Sequence, residues 1–334
     1  DASEVEAAEV ERMARIEFTQ PPALVRLQST GQHSLLWTEP LCMDGVIIEP
    51  GALNLYTYPG TFSGAQLELI RLVILEFLRV MPLAFEVADA VGAFIIHALL
   101  VCNTEASLAL FCDLLEVDPR LMLQTHKGEP FLGEGCLHVL CANRREDLGC
   151  RIVDMAAKLF SSAEVEGMLN TQAVGVFFDR APMCWYGDSP LAYACVFSLR
   201  TLVRKMLDTG LTSLNDNFGK VLGLYPLHAV SANGLRGMYD FLVRGLPEPL
   251  RANKEILTRA GRLISLNVDG MNPLQLTAKR GIRIVHQHIM RQELTRVLWV
   301  WGPVTQYQIN LVGIDSSGHG AADVMEILIR QDAS

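Results

Sequence analysis

Charge is scarce in this chain, and positive charge scarcer still. Only 19% of the 334 residues are charged, and 28 Lys and Arg stand against 37 Asp and Glu, for a net charge of −9. Phosphate binding needs a basic footprint, so nucleic acid is excluded as a partner. A membrane-spanning run is missing too. The most apolar stretch, Pro82 to Cys102, is broken by Glu86, Asp89 and His97. A spanning helix needs about 20 largely uncharged residues, so buried helices are expected there. Eight cysteines are too few for a disulfide framework in a chain of this length. Cys102, Cys112, Cys141, Cys150 and Cys195 fall in helical patterns where small buried side chains belong, which fits reduced thiols in cytosol. No signal-peptide pattern marks the acidic opening Asp1-Ala2-Ser3-Glu4, and without an initial Met the expectation is a piece of a longer protein.

Groupings that carry chemistry are equally sparse. His286-x-His288 lies on one expected helix, but residues two apart diverge there. Cys136-x-His138-x-x-Cys141 lacks zinc-finger spacing and a second half. Gly133-x-Gly135 follows no strand and so makes no dinucleotide loop. The reading is a non-enzyme with no catalytic residue, no metal ligand and no cofactor. The charged run 142–151 reads as a solvated turn between helices.

Half of the chain is hydrophobic, ample for a core and too apolar for disorder. Its organisation is clearest at Gly223-Leu224-Tyr225-Pro226-Leu227-His228-Ala229, which returns 47 residues later as Gly270-Met271-Asn272-Pro273-Leu274-Gln275-Leu276. Both follow the opening of an ankyrin repeat. Glycine permits the tight turn and proline suits the first helical position. Further openings place His97, His138 and Ala192 in the same slot as His228 and Gln275. Successive slots are 41, 54, 36 and 47 residues apart, against about 33 for a standard unit. The excess must form long fingers. Second helices follow at Leu108 and Phe111, at Leu148, Ile152 and Val153, and at Leu202, Val203, Met206 and Leu207. Met238, Tyr239, Leu242 and Val243 mark the next, and Val285 and Ile289 the last.

The fold class is therefore mostly α, an ankyrin-repeat solenoid of about six repeats followed by a small linker with a β-hairpin. Residues 1–62 form an N-terminal segment, a helix opened by the capping box Ser3-x-x-Glu6 and then irregular chain. Residues 63–295 are the repeat domain and 296–334 the linker. In the linker, Val297 to Trp301, Gly302-Pro303 and Val304 to Leu311 read as a hairpin, with Tyr307, Ile309 and Leu311 on one face. Such a hairpin is marginal alone and needs a third strand or a neighbour. The longest finger carries an apolar tip, and its Phe177, Phe178 and Trp185 either meet a partner or fold back on their own repeats.

Three motifs then resemble a known family. Trp185-Tyr186-Gly187-Asp188-Ser189-Pro190-Leu191, Leu227-His228-Ala229 with Met238-Tyr239, and Trp299-x-Trp301-Gly302-Pro303-Val304 with Leu311 and Ile314-Asp315 occur in order. They are similar to the cytosolic N-terminal ankyrin domain and linker of vanilloid-type transient receptor potential (TRP) channels. That resemblance implies six repeats, a pore domain beyond residue 334 and a homotetramer permeable to cations including Ca²⁺. The chain would lie at the cytoplasmic face of a membrane, touching it only through the pore domain. The resemblance also implies that the finger residues Phe177, Phe178, Trp185 and Tyr186 meet a neighbouring subunit's Trp299, Trp301, Tyr307 and Ile309. Neighbouring subunits are thus the implied partners, with calmodulin or other regulatory proteins as further ones. Where some members bind ATP through a basic residue after a repeat glycine, this chain has Ala93 and Glu134, and Lys127 is the finger's obvious cation. The alternative is a freestanding ankyrin adaptor for protein partners.

Overall fold

The computed structural model describes residues 41–43, 46–48, most of 71–88, 92–179, 187–252, 266–311, 314–315 and 323–331. The helix expected at 3–17 lies outside the described residues. Two compact units divide the chain, Asp1–Phe178 and Asp179–Ser334. The described chain is mostly helical, with two small antiparallel ribbons. β1 (Leu41–Met43) pairs with β2 (Val46–Ile48), inside a stretch expected to be largely irregular.

In the first unit, α1 (Ile95–Cys102) and α2 (Glu105–Val117) form one antiparallel pair, and α3 (Cys136–Ala142) and α4 (Glu146–Leu159) a second. α5 (Ser162–Asn170) follows, opened by a capping box in which Ser161 and Glu164 bond each other's backbone N–H. α1 packs on α3. The core is apolar, with Leu99, Leu110, Phe111, Leu114 and Leu140 fully buried. The charged turn between α3 and α4 also holds the pairs together. Arg145 donates from Nε to Asn103 Oδ1 at 2.7 Å, and Asn143 Nδ2 donates to Leu100 O at 2.8 Å.

The second unit holds three pairs, α6 (Pro190–Val196) with α7 (Arg200–Asp208), α8 (Pro226–Ala232) with α9 (Arg236–Asp240), and α10 (Pro273–Arg280) with α11 (Arg283–Ile289). First helices stack on first helices, α6 on α8 on α10. π-helical turns, Phe241–Gly245 and Met290–Leu294, extend α9 and α11. Arg244 joins the two, bonding Asp240 and Glu293, and Asp240 Oδ1 also meets His288 Nε2 at 2.7 Å. His288 therefore ties α11 to the pair before it, while His286 Nδ1 lies 3.3 Å from Thr277 Oγ1. A carboxylate does similar work between α6 and the next finger. Asp188 accepts Val221 N–H at 2.6 Å, and burial raises its pKa while the N–H groups of Val221, Leu222 and Lys220 oppose that shift.

One backbone device recurs in all five pairs. Six residues after each His/Gln slot the chain turns left-handed, at Asn103 (φ 51°), Arg144 (56°), Ser198 (60°), Gly234 (75°) and Gly281 (68°). In four of them the next N–H reaches back five residues, as from Arg145 to Leu140 and Ile282 to Thr277, both 2.9 Å. This closes the first helix with its carbonyls satisfied. Glycine takes that conformation freely, and an L side chain pays for it. Ser198 is exposed and pays without a packing return. Ser198→Gly is expected to stabilise the chain by about 0.5–1 kcal/mol in urea denaturation. A loss of stability would show that the turn carries no strain.

The slot residues explain why each finger sits where it does. His97 Nδ1 accepts Phe94 N–H at 3.1 Å, His138 Nδ1 accepts Gly135 N–H at 3.0 Å, and Gln275 Oε1 accepts Asn272 N–H at 3.0 Å. His228 reaches forward instead, its Nε2 lying 3.0 Å from Met271 O in the next finger. Burial depresses its pKa to about 4, the Met271 bond opposing. In the unfolded chain the value is near 6.5, so the unfolded state binds the extra proton between those limits. Stability from this group is complete above pH 6.5, falls as pH drops towards 4 and is flat below. The loss amounts to about 2–3 kcal/mol at pH 4.5. His228→Gln, the residue used at 275, is expected to abolish that share of the acid limb. If denaturation midpoints of wild type and variant fall in parallel from pH 7 to 4.5, the histidine is not its source.

The chain ends its described part in a ribbon and a helix. β3 (Thr295–Trp301) and β4 (Val304–Ile309) pair antiparallel around Gly302-Pro303. Gly302 has φ 54°, the positive value that a mirror-image two-residue hairpin turn requires at its first position. The base is fastened by Asn310 N–H to Leu294 O at 2.8 Å. α12 (Val324–Gln331) returns to lie on α10, burying Val324 and Ile327. Two such side chains contribute about 3–6 kcal/mol, against about 8 kcal/mol or more to order eight backbone residues.

Candidate protein-interaction surfaces

The finger and the hairpin use their apolar residues differently. In the first unit, the finger 125–135 presents Phe131, and the later chain lays the helical turn Val176–Asp179 across it. Phe131 lies 5.0 Å from Phe177 and 6.4 Å from Phe178, ring centre to ring centre, and continues through His126 to His97. Glu129 accepts Val176 N–H at 2.8 Å. Phe178 is buried and Phe177 keeps 36% of its surface. Of these two, Phe178 folds back on its own finger, and Phe177 retains an outward edge. Trp185 and Tyr186 lie outside the described residues.

The hairpin hides far less. Trp299, Trp301, Tyr307 and Ile309 are exposed, with 78% of Trp301 open. Directly opposed residues share a face and alternate residues change face. Trp301 opposes Val304 and Trp299 opposes Gln306, while Val300 opposes Thr305, Val297 opposes Tyr307 and Thr295 opposes Ile309. The tryptophans therefore stand on one face with Val304. Tyr307 and Ile309 stand on the other with Val297 and Val300, so the four predicted residues make two surfaces. A bulge at Leu298 keeps this register. Val297 and Val300 were missed by sequence reasoning. The unbroken apolar run Val297–Trp301, lacking the alternation of a one-sided strand, is the signal that both faces are apolar. Among the described residues the sheet has two strands.

Among the described residues no cluster of reactive groups accompanies these surfaces. Cys102, Cys112, Cys136 and Cys195 are free thiols, and burial pushes Cys102 and Cys136 up to about 12. Such thiols stay protonated and unreactive. No group of three or more His, Cys, Asp or Glu among the described residues is placed to hold a metal ion. Lys127 Nζ lies 5.0 Å over the Phe94 ring, and Glu134 is buried with a carboxylate oxygen 3.8 Å from His126 Nε2. A buried acid beside the finger opposes rather than attracts a phosphate. No helix among the described residues is long and apolar enough to cross a membrane.

No protein-family model matches the chain. It is 26% identical over 242 residues to the transient receptor potential cation channel subfamily V member 5 of Mus musculus, covering 70% of this chain and 30% of that protein. The subfamily V member 6 of Homo sapiens is 26% identical over 253 residues, 72% of this chain and 29% of that one. With the human subfamily V member 4 the identity is 27% over 176 residues, 48% of this chain and 20% of the relative. The chain spans about 30% of the length of the first two relatives. Over some 70% of its own length the chain is thus similar to the cation channels of transient receptor potential subfamily V, a TRPV-like region.

Proposed function

We propose that the chain is the cytosolic ankyrin-repeat assembly and regulatory region of a tetrameric, Ca²⁺-permeable TRP-family cation channel. In this reading the five helix pairs are ankyrin repeats, residues 64–90 supply a first, and 296–334 form the linker after them. Neighbouring subunits are the partners, and the membrane is met through a pore domain elsewhere in the full protein. The observation that carries the reading is the hairpin, a ribbon apolar on both faces and paired with no third strand among the described residues. Two strands alone are marginal in water, and tryptophan and tyrosine are common interface anchors. The named cation-channel relatives supply the channel class. Within an assembly, Phe177 of one subunit would pack on the hairpin of the next, and changes in that contact would bias the gate.

The alternative is an ankyrin adaptor that uses the same surfaces for other proteins. Purified full-length protein in liposomes separates the two. A Ca²⁺ influx that stops on adding a pore-blocking cation is expected of the channel. Liposomes that hold the protein and stay impermeable would sink this reading in favour of the adaptor.

A further inference from the structure

We propose that the inner surface of the last two helix pairs is a groove for an amphipathic helix, and that α12 is its exchangeable occupant. The groove lies wholly within the second unit. Ala229 and Ala232, one turn apart on α8, make a shallow floor, and Leu276 of α10 with the finger residues Leu224 and Met271 make its walls. Small side chains on the floor let a helix backbone come close. Ile327 of α12 is buried in this cluster, and Val324, one turn earlier, is buried too.

The seat is specific, but the hold on it is slight. Of α12's apolar residues, Met325, Leu328 and Ile329 stay exposed. The helix has eight residues, starts from Asp323, whose carboxylate caps Glu326 N–H at 2.8 Å, and meets Ile314 O through Met325 N–H at 3.0 Å. Short helices do not persist alone in water, so α12 is a helix because the groove makes it one. A segment ordered by two anchors opens locally far more often than the helices beneath it. The fitting ligand is a helix with apolar side chains at i and i+3 and an acidic cap before them, the pattern of α12 itself. When α12 lifts, the groove is free to take such a helix from elsewhere.

The test uses the full 334-residue chain carrying Ile327→Asp, which puts a charge into the apolar seat, and a labelled, acetylated peptide of residues 323–331. Anisotropy is expected to show saturable binding to the variant and at least about tenfold weaker binding to wild type, whose tethered helix competes at high effective concentration. The same peptide with Ile327→Asp should not bind either. Equal binding to both chains, or none to a variant that still melts cooperatively, overturns the proposal. Should the variant not fold, hydrogen exchange on wild type decides. Amides of 328–331 are expected to exchange while those of α8 and α10 stay protected. Equal protection of all three would overturn it.

Discussion

Gly92→Ala is expected to unfold the first unit or cost it at least about 4 kcal/mol, as in the severest core truncations. Gly92 has φ 79°, where an L side chain is strained, and a Cβ there would lie 1.9 Å from Gly128 N. The obstacle is backbone, which cannot rotate away as a side chain end could. Lys127 N–H donates to Gly92 O at 2.9 Å, so relieving the clash breaks the bond that seats the second finger on the first. The next finger closes the same way, a Cβ on Gly175 meeting Pro130 O at 2.1 Å. Urea denaturation of the 334-residue chain, with probes in each unit, reads the effect. A cost below about 1 kcal/mol would mean that the fingers are not stacked this closely.

The second large effect is on assembly. Trp299→Ala with Trp301→Ala is expected to raise the concentration for half-assembly of the full-length protein about thirtyfold or more, taking about 2 kcal/mol for a hot-spot residue. Both side chains are exposed at the turn end of one face, so the folded subunit should lose little. Tyr307→Ala examines the opposite face separately. Phe178→Ala is a poor probe, because that ring is buried and its loss would destabilise the first unit. Phe177→Ser removes the outward edge instead. Mass photometry of detergent-solubilised protein measures each; assembly unchanged in the tryptophan pair would remove the hairpin from the interface.

The legible parts of this molecule were those written in local rules. The slot residue five after a positive-φ glycine located the first helices of all five pairs, helped in three of them by proline at the first helical position. The hairpin was legible from Gly302-Pro303 between two apolar runs. Less legible was everything decided between elements. Arg144 and Ser198 give no sign in sequence that they turn left-handed, since glycine is the residue that advertises it. The charged turn at 142–151 read as solvated, yet Arg145 anchors one pair to another through Asn103. Likewise the bulge at Leu298 sets which aromatics share a face, and a bulge has no sequence signature of its own. Phe178 was ambiguous for a simpler reason, because an apolar finger tip fits either a partner or its own scaffold.

The central claim is that the exposed hairpin of one subunit packs on the finger of another, and disulfide trapping tests it most directly. Trp301→Cys and Phe177→Cys are placed together in the full-length protein, which is then oxidised mildly and run unreduced in denaturing gels. The account predicts a ladder of covalent species up to four chains, lost when either cysteine is omitted. Two freely labelled thiols in an intact assembly would contradict it.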